Sequence, residues 1–87
     1  MLSLTLAEIA FALSGQIIRG DSSRVVSGAV ETDSRQIVSG GIFFAKLGEK
    51  EDGHNYVADA LDQGATLAIV SRPVENVEID QVLVSDT

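Results

Sequence analysis

The run IFFAKLGEKEDGHNYVADALDQGATLAIV, residues 42–70, decides the fold. It opens on Ile42-Phe43-Phe44-Ala45, a short apolar block preceded by the turn pair Gly40-Gly41. That combination predicts a short buried strand. Residues 46–54 are polar and contain glycine, the composition of a loop. A helix is expected over 55–63, with Val57, Ala60, Leu61 and Gly64 on one side at helical spacing. Asp52 or Asn55 caps its start and Gly64 closes it. Ala65-Thr66-Leu67-Ala68-Ile69-Val70 is then a near-continuous apolar run, as in a strand buried on both faces. Strand, helix and strand in this order form a β-α-β unit whose two strands lie parallel.

Working outward, the first helix carries complete punctuation. Thr5 and Glu8 form the S/T-x-x-E capping box, and Leu4 with Ile9 forms a hydrophobic staple. Leu6, Ile9, Ala10 and Leu13 make one buried stripe at i, i+3, i+4, i+7 spacing. Gly15 is expected as the left-handed residue beyond the helix end, and Phe11, off the stripe, as a partly covered aromatic. A short apolar run, 16–19, follows. Residues 24–32 suggest one strand, through Val25, Val26, Ala29 and Val30, interrupted by a bulge at Gly28. Thr32-Asp33-Ser34-Arg35 is a strand exit, since Asp and Ser bond the backbone two residues on. At the other end, Arg72-Pro73 breaks the second strand of the unit and 81–84 form the last one. The expected architecture is α/β: one domain over 1–87, a small mixed sheet with a β-α-β unit and flanking helices.

Composition bounds the function. The 87 residues are 45% hydrophobic with a single proline, a globular balance. No cysteine is present, which removes disulfides, Cys-based zinc sites and thiol nucleophiles. The net charge of −7 argues against nucleic acid and anionic membrane as partners. No apolar run approaches the ~20 residues of a membrane span, and the first thirteen residues lack a basic leader. Cytoplasmic residence is the expectation.

The search for enzyme chemistry is mostly negative. Neither Gly-x-x-x-x-Gly-Lys-Ser/Thr nor Gly-x-Gly-x-x-Gly occurs. His54 is the only histidine, so no His-pair metal site exists. In Asp52-Gly53-His54 the first two residues shape a turn, and the His starts the helix or bonds a loop carbonyl. Neither a catalytic residue nor a metal ligand is expected. Two polar loops remain. One, 46–51, leaves the carboxyl end of the 42–45 strand; the other, 32–35, leaves the strand near Val30. Ligands of open α/β sheets sit outside the carboxyl ends of parallel strands. If these two strands run in the same direction, both loops border one crevice. Hydroxyls of Thr32 and Ser34, backbone N–H groups around 48–51 and the Lys50 cation would then offer a weakly basic grip. Such a grip suits a uridine diphosphate better than a bare phosphate, although ordinary turns use the same residue types.

At this point a family resemblance enters. Thr32-Asp33-Ser34-Arg35, then Gly41-Ile42-Phe43-Phe44-Ala45, then Gly48-Glu49-Lys50-Glu51-Asp52-Gly53-His54, then Ala60 with Gly64-Ala65 are similar to the run T-D-S-R … G-D-L-F-V-A-L-x-G-x-x-x-D-G-H-x-F … A-x-x-x-G-A. That run marks the amino-terminal domain of the Mur ligases acting late in peptidoglycan precursor assembly. The departures are Gly41 for Asp, Ile42 for Leu, an inverted Lys46-Leu47 and Tyr56 for Phe. The opening Leu4-Thr5-Leu6-Ala7-Glu8-Ile9-Ala10 with Ser14-Gly15 resembles the members that add D-alanyl-D-alanine.

The resemblance implies a domain that holds the UDP end of UDP-N-acetylmuramoyl-tripeptide. Thr32, Ser34, Glu49, Lys50 and Glu51 match the substrate-binding positions. Asp33, Arg35, Gly48, Asp52, Gly53 and His54 brace the loops. The family reaction converts a peptide carboxylate into an acyl phosphate, which the incoming amine attacks. ATP, Mg2+, the carbamylated lysine and D-alanyl-D-alanine belong to domains absent from this chain, so no cofactor is expected on it. Three rival readings stand beside this one: the sibling ligase that adds the third amino acid, a stand-alone nucleotide-sugar-binding module, and an interaction domain using an apolar patch around Phe11 and Phe43.

Overall fold

A computed structural model describes residues 3–48 and 52–85. Leu4–Thr5 (β1) leads into helix Leu6–Ala12 (α1), and the capping box is present. The Thr5 N–H donates to Glu8 Oε1 at 2.9 Å, and the Glu8 N–H to Thr5 Oγ1 at 3.1 Å. Leu6, Ile9 and Ala10 are buried, but Leu13 lies 41% exposed and Phe11 89% exposed, so the buried stripe ends a turn early. The left-handed residue after α1 is Ser14 (φ 53°), not Gly15. Gly15 is needed for close approach instead: a Cβ there would lie 2.7 Å from the Leu83 carbonyl oxygen.

Four further strands follow: Gln16–Arg19 (β2), Val25–Val26 (β3), Val30–Glu31 (β4) and Ile42–Phe44 (β5). Residues 24–32 are therefore not one bulged strand. β3 pairs antiparallel with β1, whereas β4 pairs parallel with β5 in the main sheet. The chain changes sheets at Gly28, where a Cβ would lie 2.1 Å from the Gly40 carbonyl oxygen. Only a glycine lets two backbones pass that closely.

The β-α-β unit forms as its pattern predicts. β5 is followed by a 3-10 turn, Gly53–Tyr56, by helix Val57–Gln63 (α2) and by Leu67–Val70 (β6). β5 and β6 are parallel neighbours, and Gly64 (φ 111°) closes α2. The last strand, Asp80–Leu83 (β7), runs parallel to β6 and pairs antiparallel with β2, giving the order β2-β7-β6-β5-β4. The connection between β6 and β7 has no helix. Buried Gln81 braces it, accepting from the Val74 N–H at 2.9 Å and donating to the Val74 carbonyl at 2.8 Å.

Period-two alternation splits the apolar residues between the two faces of the sheet. Phe43, Ala68 and Val70 pack with Val57 and Ala60 beneath α2; Ile42, Leu67, Ile69 and Val82 pack with Leu6 and Ile9 beneath α1. All four residues of β6 are buried, as a central strand covered on both sides requires. The two layers differ in reach. At the β4–β5 end an apolar groove of about 290 Å³ is bordered by Leu4, Leu13, Val30, Phe44 and Ile69. Phe44, not the fully buried Phe43, is the aromatic on that groove, so no patch joins Phe11 to Phe43.

Candidate functional site

Because β4 and β5 are parallel, the segments after them leave the same edge of the sheet. After β4, Asp33 N-caps a 3-10 turn, Ser34–Gln36. Its Oδ1 accepts the Arg35 backbone N–H at 2.9 Å and Arg35 Nε–H at 3.0 Å, while Oδ2 takes an Nη2–H at 2.9 Å. These hydrogen bonds, the Arg35 side chain first, hold the Asp33 carboxyl below the usual carboxylate range. Thr32 is exposed and Ser34 is buried. Together with Asp33, Arg35, Tyr56 and Asp59 they line a cleft of about 420 Å³.

After β5 the chain narrows into a neck. The Gly53 N–H donates to the Lys46 carbonyl at 2.8 Å, and Leu47 bridges Asp52 across the loop. A Cβ on Gly53 would sit 2.7 Å from the Lys46 nitrogen, so the neck closes only around glycine there. Gly48 is exposed at its outer end. Glu49, Lys50 and Glu51, the expected substrate-binding residues of this loop, lie outside the described residues.

At the base of the neck sits a closed polar cluster. Asp52 N-caps the turn Gly53–Tyr56, accepting the His54 backbone N–H at 2.9 Å and meeting His54 Nδ1 at 2.6 Å through the same Oδ1. Its other oxygen pairs with Arg72 at 2.6 Å. The His54 side chain is 1% exposed, and its Nε2 accepts the backbone N–H of Ser71, just past β6, at 2.9 Å. The ring thus starts the helical turn but bonds a carboxylate and an amide N–H, not a loop carbonyl. The three donors, the His54 backbone N–H first, hold the Asp52 carboxyl far below its ordinary value.

Ser71 Oγ lies 3.2 Å from Nε2, so Ser71, His54 and Asp52 superficially repeat a nucleophile–base–acid triad. The arrangement does not work as one. The Nε2 lone pair that a base needs already accepts the amide of Ser71, and the ring is buried. Among the described residues, no group of three or more His, Asp or Glu side chains is placed to hold a metal ion. Among the described residues, no helix is long and apolar enough to cross a membrane.

Residues 27–86 match the model of the Mur ligase family, catalytic domain. The chain belongs to the Mur ligase family. The UDP-N-acetylmuramoyl-tripeptide--D-alanyl-D-alanine ligase of Haemophilus influenzae is 33% identical over 87 residues, covering all of this chain and 19% of the relative. The enzyme of the same name from Mycobacterium tuberculosis H37Rv is 40% identical over 78 residues, 85% of this chain and 15% of the relative. Among solved structures, a crystal structure of MurF from Acinetobacter baumannii superposes with a TM-score of 0.85 at 34% identity, over all of this chain and 19% of that one. The chain therefore spans under a fifth of the length of these Mur ligases, and its mixed α/β fold is theirs over that stretch.

Two pairs of residues escaped the sequence reading. Tyr56 and Asp59 join the cleft because they are one helical turn apart and face the Asp33–Arg35 turn. The spacing was visible, but which side of α2 would meet β4's exit was not. Ser71 and Arg72 join the His54 cluster through the parallel register, which aligns Phe44 with Ile69 and carries the ends of β5 and β6 out together. Only the pairing of the strands reveals that.

Proposed function

We propose that this chain is the amino-terminal, substrate-anchoring domain, residues 1–87, of a cytoplasmic Mur ligase that adds D-alanyl-D-alanine during peptidoglycan precursor synthesis. It grips the UDP end of UDP-N-acetylmuramoyl-tripeptide. The supporting observation is the parallel pairing of β4 and β5, which brings both polar loops to one lip of the sheet. There Thr32 and Ser34 border a cleft of about 420 Å³ together with Tyr56 and Asp59. Arg35 is engaged with Asp33, and Asp59 adds a further carboxylate to the lining. The cleft offers hydroxyls and acceptors more than net positive charge, which suits a nucleoside end better than a bare phosphate. Glu49, Lys50 and Glu51 complete the grip in this reading.

ATP, Mg2+ and D-alanyl-D-alanine are then bound elsewhere on the longer enzyme. This domain contributes by holding a remote, non-reacting part of the substrate, so that the reactive carboxylate is positioned far away. Amide NMR shifts on titration with UDP test the reading. Shifts are expected at 32–35, 48–51, Tyr56 and Asp59; saturable shifts confined to other residues reject the site. In the full-length ligase, Ser34→Ala is expected to raise the KM for the UDP substrate by roughly 2- to 12-fold, one hydrogen bond of ~0.5–1.5 kcal/mol. An unchanged KM removes Ser34 from the grip.

A further inference from the structure

Two residues of the cleft lining differ in chemistry from the turn they meet. Tyr56 and Asp59 lie three residues apart, where the 3-10 turn passes into α2, and so neighbour each other along that element. Tyr56 is 37% exposed and brings an aromatic ring to a lining otherwise made of hydroxyls and charges. Asp59 is exposed, and among the described residues its carboxylate has neither a hydrogen-bond partner nor an ion pair. Asp33, by contrast, is committed to Arg35. Those two charges offset each other, so Asp59 leaves the described lining net negative. A pyrophosphate beside that carboxylate would be repelled. A nucleoside would not: it is neutral, and its ribose carries hydroxyl donors.

We propose that the cleft holds the ribonucleoside itself, with the base against Tyr56, the ribose 2′- and 3′-hydroxyls donating to Asp59, and the pyrophosphate directed outward. A carboxylate only accepts, which fits a vicinal pair of hydroxyls, and carboxylates take ribose hydroxyls in other nucleotide sites. An aromatic ring fits the face of a base. Residues three apart on a helical turn have Cβ atoms ~5–6 Å from each other, the order of separation between a base and its own ribose hydroxyls. The assignment rests on the reading of this cleft as the seat of the UDP end. It adds which part of the nucleotide enters and what selects it: Asp59 makes the site selective for a ribonucleotide.

Amide NMR titrations of the 87-residue chain with UDP, 2′,3′-dideoxy-UDP and CDP test it. UDP is expected to bind roughly 5- to 10-fold more tightly than the dideoxy nucleotide, which cannot donate to the carboxylate. In Asp59→Ala that preference should vanish, while UDP still shifts the amides of 32–35. The replaced side chain is exposed, so the fold should survive the change. Tyr56→Leu should weaken UDP and its dideoxy form alike and leave their ratio intact. Equal affinity of the wild type for the two nucleotides overturns the proposal, and so does a preference that persists in Asp59→Ala. If Asp59→Ala instead loses a preference for UDP over CDP, the carboxylate reads the base edge and the ribose assignment falls. Unchanged UDP affinity in Tyr56→Leu removes the base from that ring. Each of these results, with UDP still shifting 32–35, leaves the anchoring role standing. Shifts confined to residues outside the cleft, or none at millimolar UDP, reject the anchoring role and this assignment together.

Discussion

Two turns on one edge of the sheet begin almost identically and end very differently. Asp33 and Asp52 each cap a 3-10 turn, with φ,ψ of −109°,116° and −107°,113°. Each accepts the backbone N–H two residues on at 2.9 Å and also holds that residue's side chain, Arg35 in one turn and His54 in the other. The local chemistry is shared; the surroundings are not. Arg35 is 85% exposed, whereas the His54 side chain is 1% exposed and reaches a second strand. One turn is an open rim beside a cleft, and the other anchors a buried ring. A hydrogen bond gains most of its structural importance from what happens when it is lost. At the rim, water replaces a missing partner; around the buried ring it has far less access.

The largest expected effect tests that difference directly. His54→Ala leaves a cavity and removes the ring that Asp52 and the Ser71 N–H share, so it should cost ~2–4 kcal/mol of stability in urea unfolding. That is a large share of the roughly 5–15 kcal/mol typical of a small domain. A loss below that of Arg35→Ala would break the comparison. Next in size come the two acids. Asp52→Asn should lower Tm more than Asp33→Asn, because Asp52 serves a buried ring and Arg72 while Asp33 serves one exposed side chain. Equal shifts in a calorimeter would mean that both carboxylates act only as turn caps.

The acid limb of stability sharpens the same point. Both carboxyls titrate below their ordinary value in the folded protein. A depressed folded pKa means that the unfolded chain binds the proton first, at about 3.9. The stabilisation is therefore complete above that pH and is lost as pH falls through the folded values. Asp52 is the more depressed of the two, so its share should persist to lower pH. Unfolding of Asp52→Asn followed from pH 5 downward should show a flatter acid limb than the wild type. An identical slope would remove Asp52 from the linkage.

This contrast also marks how far the sequence could be read. The β-α-β unit was legible because Val57, Ala60 and Leu61 carry a helical period and 65–70 an unbroken apolar one, and each period survives any choice of neighbours. Asp33 and Asp52 were legible as turn formers for the same reason, since capping is settled within three residues. Residues 24–32 misled because β3 and β4 are each two residues long and belong to different sheets. No period can be read over two residues. The companions of His54 and of the cleft were hidden for a third reason: Ser71, Arg72, Tyr56 and Asp59 arrive through strand register and helix facing, which arise only after the chain has folded.

The smallest effect is the one that separates rim from cleft. Arg35→Ala removes a pair that is open to water, and exposed ion pairs contribute between nothing and ~1 kcal/mol. Stability should therefore change less than in any of the variants above. The same change frees the Asp33 carboxylate from its guanidinium at the lip of the cleft, which Asp59 also lines, and so makes the lining more negative. An anionic ligand should feel that charge where the fold does not. If UDP binding weakens in Arg35→Ala while the melting curve stays put, the open turn belongs to the ligand. If both stay unchanged, it is a capped corner of the backbone and nothing more.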